Sequence, residues 1–364
     1  MQVTHIEDNG REEWNDFVAQ EPSFALLQSW EWGEFKEKLG WKPFRVCVRR
    51  QGQIVAGAQV LIKHLPLGLG SVAYVPRGPV GNWIDEEVMP RLLSELHKVA
   101  RGHRAIFVKV EPPLCFDPGV CRILQQNHFQ PSYYTNQPRA SLIMDLAPDL
   151  EDVPQQMRKK TRQYIRCAAQ KGVTVREGVQ EDLSDFYDMM CITGKRCGFS
   201  VRVRDYYEDQ WKTFANRDQA VLLLAFYRET LLAGRMIFYF GQHAAEFHAA
   251  SSGEHRRLHP DYLLIWEAIK WAKAHGCCTY DLWGIPDEVG QATYDGKEMP
   301  APDKFGDLWG IYQFKRGFSK NVVFYTKAHD YVYSILRYKL ITNKFVNGNK
   351  LDRIAVRMDF LRNS

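Results

Sequence analysis

The sequence predicts an α/β (α+β) protein that folds as two similar units, each a mixed sheet covered by helices. Its 364 residues exceed one typical domain. A content of 45% hydrophobic and 25% charged residues is that of a soluble globular protein. The third observation is an internal repeat, because the same order of segments occurs twice along the chain. We therefore expect two domains built on one plan.

Two hairpins form the first half of the repeat. Residues 44–62, FRVCVRRQGQIVAGAQVLI, and residues 220–240, AVLLLAFYRETLLAGRMIFYF, each contain two strand-like runs around a tight polar turn. Both place Ala-Gly at the start of the second run, and the two glycines, Gly57 and Gly234, are 177 positions apart. The pattern predicts one β-hairpin in each unit.

A helix and a further strand complete each unit. The strands are predicted in HRAIFVKVEPPL, residues 103–114, and GCCTYDLWGIPD, residues 276–287, and each ends in a turn that contains proline. The prolines, Pro112 and Pro286, are 174 positions apart. Two matches at nearly one offset indicate a duplicated unit of about 175 residues. Chance likeness between generic hairpins is the alternative.

The two helices precede these strands. In the first unit a helix is predicted from about Glu86 to Ala100. In the second unit the helix begins near Pro260, which a first turn tolerates, and His275-Gly276 ends it. Its apolar face, by spacing, comprises Tyr262, Ile265, Trp266, Ile269 and Ala272.

The N-terminal segment, the hydropathy and the cysteines predict a cytoplasmic protein without a metal. The N-terminal residues 1–14 lack the apolar run of a signal peptide, and no window supplies the roughly 18 apolar residues of a spanning helix. The eight cysteines have no zinc spacing. We expect them to be reduced thiols, mostly in the core.

Basic residues are concentrated in two segments, although the net charge is only +5. Residues 158–176 carry seven Lys or Arg and no acid, and residues 326–364 carry eight basic and three acidic residues. A helix predicted from about 153 to 169 places Arg158, Arg162 and Arg166 on one face. These charges could follow a phosphate backbone, and a solvated helix face is the alternative.

The loop before the second unit's helix raises the question of an acyl donor. Residues 248–276 have the layout strand, polar loop and helix from which an acyltransferase presents a pyrophosphate to a helix N-terminus. In acetyl-CoA users that loop is rich in glycine. Here it reads Gly-Glu-His-Arg-Arg-Leu-His-Pro, with a single glycine. Backbone N–H groups are therefore poorly placed to wrap a phosphate.

Six motifs carry a resemblance to a known family, and they are SWEWGEFK at 29–36, YVPRGPV at 74–80, VKVEPP at 108–113, RKKTRQYIRCAAQKGV at 158–173, YDLWGIP at 280–286 and YQFKRGFS at 312–319. Through them the chain resembles the Fem family (FemABX) of non-ribosomal peptidyl transferases, which build peptidoglycan cross-bridges from aminoacyl-tRNA. The resemblance implies two tandem acetyltransferase-like (GNAT) domains. No heptad insertion for a coiled-coil arm is visible, so the chain is similar to the armless members.

The resemblance also implies domain limits and partners. The first domain is expected at 1–147, completed by 322–364, and the second at 148–321. The implied donor is aminoacyl-tRNA, and no cofactor is expected. The implied acceptor is a muramyl-pentapeptide, either as a uridine nucleotide or in its lipid-linked form. We expect a monomer, and a peripheral contact with the inner face of the membrane is compatible with this function.

The same resemblance assigns two catalytic candidates. Lys315 matches the family lysine that stabilises the oxyanion of the tetrahedral intermediate and contacts the tRNA 3′ end. Glu111 stands where many members carry aspartate before proline, so this chain departs by one methylene. A strand-end cap or a partner for Lys109 is the alternative role of Glu111.

Substrate-binding candidates follow from the same motifs, and they are Lys36, Arg202, Tyr206, Tyr207, Phe247 and Phe314. Lys36 matches a lysine that contacts the acceptor diphosphate. Arg202 and Tyr206 preserve the family spacing of four, although Arg204 and Tyr207 leave the register open. Phe247 replaces the usual tyrosine and has no hydroxyl. The basic helix, with Arg158, Arg162 and Arg166, is the candidate tRNA surface.

Two other functions remain open from the sequence. A coenzyme A-dependent N-acyltransferase would use the same fold, but the glycine-poor loop disfavours it. A non-catalytic protein that binds RNA or the envelope on this scaffold is the second, and the retained Lys36, Arg202, Phe314 and Lys315 disfavour it.

Overall fold

The computed structural model of the chain describes residues 1–299, 301 and 307–347. Its α-helices are α1 (Arg11–Ala19), α2 (Trp30–Lys38), α3 (Val88–Gly102), α4 (Pro118–Gln126), α5 (Lys159–Gln170), α6 (Leu183–Cys197), α7 (Arg204–Ala215), α8 (Pro260–Ala274), α9 (Asp287–Tyr294), α10 (Asp307–Lys315) and α11 (Ile335–Asn347).

The strands are β1 (Gln2–His5), β2 (Lys42–Arg50), β3 (Gln53–His64), β4 (Ser71–Val75), β5 (Val80–Gly81), β6 (Ala105–Val110), β7 (Gln130–Pro131), β8 (Ala140–Asp145), β9 (Val173–Glu177), β10 (Ala220–Tyr227), β11 (Thr230–Phe240), β12 (His243–Ser251), β13 (Thr279–Asp281), β14 (Val322–Phe324) and β15 (His329–Val332).

The contacts between Cα atoms divide the chain into two compact units. Unit 1 comprises Met1–Arg139 and Tyr325–Ser364, and unit 2 comprises Ala140–Phe324. Strand β14 pairs with β8 of unit 2, so the return to unit 1 begins after Phe324. The domain limits suggested by the sequence, at 147 and 321, stay a prediction about which segments fold together.

Unit 1 is a mixed sheet with helices on both faces. Its strand order is β1-β2-β3-β4-β6-β15-β7, and β5 pairs with β3 beside this path. Strands β4 and β6 are parallel, and β15 runs antiparallel to β6. Helix α3 buries Leu92, Leu93 and Leu96 against one face. Helix α11 packs Tyr338 on the other face, against Ile106 and its neighbours, because successive strand residues point to opposite sides.

Unit 2 repeats this plan. Its strand order is β14-β8-β13-β12-β11-β10-β9, with β12 and β13 parallel. The order of hairpin, strand, helix and strand is β2-β3-β4-α3-β6 in unit 1 and β10-β11-β12-α8-β13 in unit 2. In each unit the strands on either side of the helix pair in parallel. The predicted repeat and the mixed α/β fold are therefore confirmed.

Two helices differ in detail from the sequence-based expectations. Helix α8 buries Leu263, Leu264 and Ala268 while Tyr262 and Trp266 are half-buried, because the sheet and α5 both cover it. The predicted helix start at 153 is wrong: residues Val153–Gln156 form a 3-10 turn, and α5 begins at Lys159.

The cysteines are less buried than expected. All eight are free thiols, but only Cys47 and Cys277 are buried, so the expectation that most lie in the core is wrong. Within the described part of the chain, no group of three His, Cys, Asp or Glu residues could hold a metal ion. None of its helices is long and apolar enough to cross a bilayer.

Candidate functional site

Lys315 ends α10 and directs its ammonium group at the turn that follows β13. Nζ donates to the carbonyl oxygen of Trp283 at 2.9 Å and to that of Gly284 at 3.1 Å. Burial lowers the pKa of Lys315, and the nearby Glu246 carboxylate acts in the opposite direction. An ammonium has three N–H donors. Within the described part of the chain, the two carbonyls are the acceptors of Lys315, and its third N–H has no acceptor there.

The turn that holds Lys315 is itself held by Asp281, the last residue of β13. The Trp283 amide donates to Asp281 Oδ1 at 2.7 Å, and the Ser141 hydroxyl donates to the same oxygen. Trp283 has a φ of 59°, a left-handed conformation that a bulky residue rarely adopts. Such strain persists where the surroundings enforce it. Asp281 thus fixes the two carbonyls that orient Lys315.

A buried charge network lies beside Lys315. Arg235 on β11 contacts Glu246 on β12 at 2.8 Å and Asp261 on α8 at 3.3 Å. The side chains of Arg235 and Glu246 are 4% and 3% exposed. Burial opposes the charge of Arg235, but Glu246 and Asp261 outweigh burial and raise its pKa. The network ties two strands and the start of α8 together next to the Lys315 ammonium.

A β-bulge in β12 brings Phe247 to the same turn. Met236 of β11 pairs with His248 and Ile237 pairs with Glu246, so Phe247 is the extra residue. A bulge re-aims the side chains around it. The Phe247 ring lies 4.5 Å from the Trp283 ring, between centroids. The bulge therefore places the candidate Phe247 against the segment that binds Lys315.

Phe314, the residue before Lys315, packs among aromatic rings. Its ring is 4.9 Å from that of Tyr262, edge to face, and the Arg235 guanidinium lies 5.8 Å from its centroid. Phe314 is half-buried. These contacts give α10 a fixed end beside α8 and so help to orient Lys315.

Arg202, Tyr206 and Tyr207 form a second cluster in unit 2. The Arg202 guanidinium lies 4.8 Å from the Tyr206 ring centroid, and the Arg202 amide donates to the Tyr207 hydroxyl at 3.4 Å. Arg204 instead pairs with Glu208 at 2.6 Å on the surface. The spacing of four between Arg202 and Tyr206 is therefore the register in which these side chains meet.

His248 joins this cluster from the bulge, and no sequence motif singled it out. Its ring is 4.8 Å from that of Tyr207, and Nε2 lies 2.7 Å from Gln210 Oε1. Burial, together with the Arg202 charge, lowers the pKa of His248 to about 3. In a neutral ring, Nε2 can donate to the amide oxygen of Gln210. The Phe247–His248 step thus connects the Arg202 cluster to the Lys315 turn.

Two amides at the end of the loop before α8 donate within the loop. The amides of Leu258 and His259 donate to the carbonyls of His255 and Arg256, and Pro260 has no N–H. His259 is the N-cap of α8, in a left-handed conformation. The Tyr164 ring from α5 stacks on it at 3.8 Å. These contacts lie at the N-terminus of α8, where a pyrophosphate would need free amides.

The three arginines of the basic segment have different environments. Arg158 is the N-cap of α5 and not part of the helix, with a ψ of 146°, and its amide donates to the Gly317 carbonyl at 2.9 Å. Arg158 and Arg162 are half-buried, and Arg166 is exposed. The expectation of one helical face with all three arginines is wrong for Arg158. The basic segment nevertheless begins close to Lys315, because Arg158 bonds to Gly317, two positions after Lys315.

Glu111, the second catalytic candidate, lies in unit 1 just after β6. It is 4% exposed. The Tyr74 hydroxyl donates to Oε2 at 2.6 Å, and the Asn136 amide donates to Oε1 at 2.6 Å. Burial raises its pKa, against the opposing effects of Lys109 and Tyr74. Both oxygens are thus engaged in holding the loop at 136 to the sheet.

Lys36 also lies in unit 1, in the last turn of α2. Its Nζ is 5.1 Å from the Trp32 ring centroid and 5.2 Å from that of Phe35. The residue is half-buried. Cation–π contacts of this kind fix an ammonium at the edge of an aromatic cluster. Its proposed contact with a diphosphate stays a prediction.

Solved structures show the class of protein to which this geometry belongs. A crystal structure of FemX superposes with a TM-score of 0.80 at 22% identity, over 94% of this chain and 100% of that one. A tandem GNAT protein from the clavulanic acid biosynthesis pathway superposes with a TM-score of 0.52 at 12% identity, over 91% and 98% of the two chains. The protein is therefore built from tandem acetyltransferase-like units.

Sequence relatives identify the family within this class. The model of the FemAB family matches residues 10–119, 125–227 and 225–343. A protein named lipid II:glycine glycyltransferase from Staphylococcus haemolyticus (strain JCSC1435) is 24% identical, over 91% of this chain and 93% of its own. Its namesake from Staphylococcus aureus (strain MRSA252) is also 24% identical, over 94% and 95%. The chain belongs to the FemAB family, and it is a transferase.

Proposed function

We propose that the protein is an aminoacyltransferase that moves an amino acid from aminoacyl-tRNA to an amine of a peptidoglycan precursor peptide. The observation that carries the proposal is the Lys315 ammonium, oriented by the carbonyls of Trp283 and Gly284, with a third N–H that no described residue accepts. Relatives named for glycyl transfer to lipid II support a lipid-linked acceptor. A cytoplasmic location would give access to charged tRNA.

The reaction is the aminolysis of an ester. The neutral acceptor amine attacks the ester carbonyl carbon, and a C–N bond forms as the C–O bond to the ribose breaks. The nitrogen loses a proton, and the ribose oxygen gains one. In the proposed site the remaining N–H of Lys315 donates to the carbonyl oxygen, where negative charge develops. Because burial already restricts Lys315, little reorganisation is needed in the transition state.

A strong general base is not required by this scheme. The ester is activated, and positioning alone can supply much of the rate. Glu111 has both oxygens engaged by Tyr74 and Asn136 within unit 1, which favours the structural role for it. The proton of the amine would then leave to water or to the ribose hydroxyl, and Glu111 would act on the rate only through the fold.

The α8 loop supports tRNA over coenzyme A as the donor. Its amides at Leu258 and His259 are bonded within the loop, and Tyr164 stacks on the N-cap. A coenzyme A pyrophosphate would have to displace these contacts. If the protein were a coenzyme A-dependent N-acyltransferase, acetyl-CoA would bind in calorimetry with a stoichiometry near one, and we expect no such binding.

The acceptor groups proposed are Lys36, Phe247 and the Arg202 cluster, defined as Arg202, Tyr206 and Tyr207. A guanidinium over an aromatic ring can present N–H donors to an anionic group, and the His248 ring packs edge to face on Tyr207. These assignments would make Arg202→Gln raise the KM for the acceptor with a smaller effect on kcat. Arg204→Gln, which makes the same change at an exposed arginine paired with Glu208 on the surface, is the matched control.

One experiment tests the proposed function directly. The protein is incubated with a pool of charged tRNA and with muramyl-pentapeptide in either nucleotide-linked or lipid-linked form, and the added mass is read by mass spectrometry. We expect a gain of one amino-acid residue that requires charged tRNA. Reactions with deacylated tRNA or with acetyl-CoA are the controls. No mass gain on either acceptor with a fully charged pool would reject the proposal.

A further inference from the structure

Helix α11 of unit 1 exposes apolar side chains on the face opposite to the one that packs. Tyr338 and Thr342 are buried against the sheet, at 3% and 2% exposure. Leu336 and Leu340 are 73% and 64% exposed. At about 100° per residue they lie roughly 200° from Tyr338 and Thr342 around the helix axis. The outward face therefore carries leucines where a surface helix normally carries polar residues.

The loop between β3 and β4 extends this apolar face. Leu67 is 96% exposed and Leu69 is 50% exposed. The Arg337 guanidinium on α11 donates to the Leu69 carbonyl at 3.2 Å. Leu65 of the loop and Ile341 of α11 also pack on one shared cluster. Helix and loop thus form one surface, called here the α11–loop surface and comprising Leu67, Leu69, Ile335, Leu336 and Leu340.

The segments that build or border this surface carry only positive charge. Residues 63–70, 101–104 and 333–347 contain no Asp or Glu. Arg101, Arg104, Arg337 and Lys339 are exposed. Arg104 is adjacent to the loop, because its carbonyl accepts from the Ser71 amide at 3.1 Å. A cluster of exposed leucines is therefore flanked by basic side chains.

We propose that the α11–loop surface docks on the anionic surface of a lipid bilayer. Apolar side chains that enter the boundary of headgroups and acyl chains, flanked by Lys and Arg that meet anionic lipid, are how interfacial helices bind membranes. Clustered apolar exposure of this kind marks an interaction site. The inference rests on the proposed function in one respect, since docking would bring unit 1 to the membrane where a lipid-linked acceptor lies.

Vesicle binding by the full chain tests the proposal. Sedimentation with vesicles of phosphatidylcholine containing 30% phosphatidylglycerol is compared with sedimentation with pure phosphatidylcholine. We expect binding at least tenfold tighter to the anionic vesicles and weaker in high salt. The double variant Leu336→Ser, Leu340→Ser should lose at least tenfold in binding with an unchanged unfolding midpoint, because both side chains are already exposed.

Ile84→Ser is the matched control, because Ile84 is also an exposed apolar residue, at 91%. It lies just before α3 begins, whereas Arg101, beside the α11–loop surface, lies in the last turn of α3, about 20 Å away along the helix. The control variant should bind like the parent. Equal vesicle binding by the parent and the double variant would overturn the proposal. It would also be overturned if the parent is a dimer in sedimentation velocity and the double variant is a monomer, because the surface would then bind a second copy of the chain.

Transfer assays separate this proposal from the proposed function. The double variant should keep parental turnover on a nucleotide-linked acceptor and lose at least fivefold on the lipid-linked acceptor in anionic vesicles. A parent that transfers amino acids but binds no vesicles refutes the docking surface alone. A parent that binds vesicles through these leucines but transfers nothing refutes the proposed function alone.

Discussion

The ammonium of Lys109 lies 2.8 Å from Asp330 Oδ1, with both side chains no more than 1% exposed. Lys109 is on β6 and Asp330 is on β15, so the pair joins the body of unit 1 to the segment that returns from unit 2. The other Asp330 oxygen accepts from the Ser132 and Tyr338 hydroxyls, each at 2.6 Å. Lys109 is therefore paired with Asp330, although the sequence offered Glu111 as its partner.

This pair predicts a large loss of stability when one charge is removed. Lys109→Met should lower the free energy of unfolding by about 3–5 kcal/mol, because Asp330 would stay buried without its counter-ion. Urea unfolding followed by circular dichroism measures the change. Lys98→Met, which removes an exposed partner of Glu95, should have little effect. A parental midpoint for Lys109→Met would mean that the pair does not hold β15 in place.

Lys315→Met should lower turnover by about 100-fold or more, the scale expected when one oxyanion donor is lost. The fold should stay intact, since methionine keeps the apolar stem, although the carbonyls of Trp283 and Gly284 lose their donor. Single-turnover transfer from aminoacyl-tRNA separates this effect from product release. Lys320→Met, at an exposed lysine five residues on, is the control and should keep parental turnover. Near-parental turnover of Lys315→Met would remove this residue from the mechanism.

Glu111→Gln should affect stability more than chemistry. Tyr74 and Asn136 donate to the two carboxylate oxygens, so an amide nitrogen would face a donor and cost about 1–3 kcal/mol. The loss of turnover should be smaller than for Lys315→Met, because an aminoacyl ester does not demand a strong base. Parallel measurements of unfolding and of turnover at saturating substrate decide this. A stable variant with a loss above 100-fold would promote Glu111 to an essential group.

The sequence predicted what depends on local pattern. The two hairpins and the helices α3 and α8 follow from alternation, periodicity and turn residues, all of which act over a few positions. The meeting of Arg202 with Tyr206 follows from their spacing around the start of α7. The start of α5 was missed because Arg158, inside a continuous basic run, adopts an extended ψ that no neighbouring residue type signals.

The buried network of unit 2 could not be predicted in the same way. Arg235 and Glu246 lie in strands where a polar residue normally indicates the solvent face. Their burial depends on strand register, and the bulge at Phe247 shifts that register by one. His248 was missed for the same reason. Only the tertiary pairing of β11 with β12 shows which of these side chains point inward.

His248 predicts an acid-sensitive unit 2. Its folded pKa of about 3 lies below the unfolded value of about 6.5. The stability from keeping the ring neutral is therefore fully present above pH 6.5 and is lost as the pH falls toward 3. Between pH 7 and 4.5 the loss from this residue should be roughly 2–3 kcal/mol.

Urea unfolding across this pH range checks the effect. His248→Gln, whose amide can still donate to Gln210, should flatten the dependence by that amount, whereas His64→Gln, at an exposed histidine, should not. If the parent and His248→Gln lose stability in parallel, His248 is not the group that titrates.

The last prediction concerns the donor. If tRNA is bound through several phosphate contacts, donor binding should weaken steeply with salt, roughly in proportion to their number. Arg162 and Arg166 are the candidates that lie on α5 itself, and Arg158 starts it beside Gly317. Arg162→Glu with Arg166→Glu should raise the KM for aminoacyl-tRNA and flatten its salt dependence, while the KM for the acceptor stays parental, because phosphate contacts position the donor without touching the chemistry.

Lys195→Glu with Lys297→Glu is the control for the α5 double variant. It makes the same change in net charge at two exposed sites of unit 2 and should leave both KM values unchanged. A double variant on α5 with the parental KM and salt slope would show that α5 is a solvated surface, and the tRNA would then have to lie elsewhere, with the basic C-terminal segment, part of which falls outside the described residues, as the next candidate.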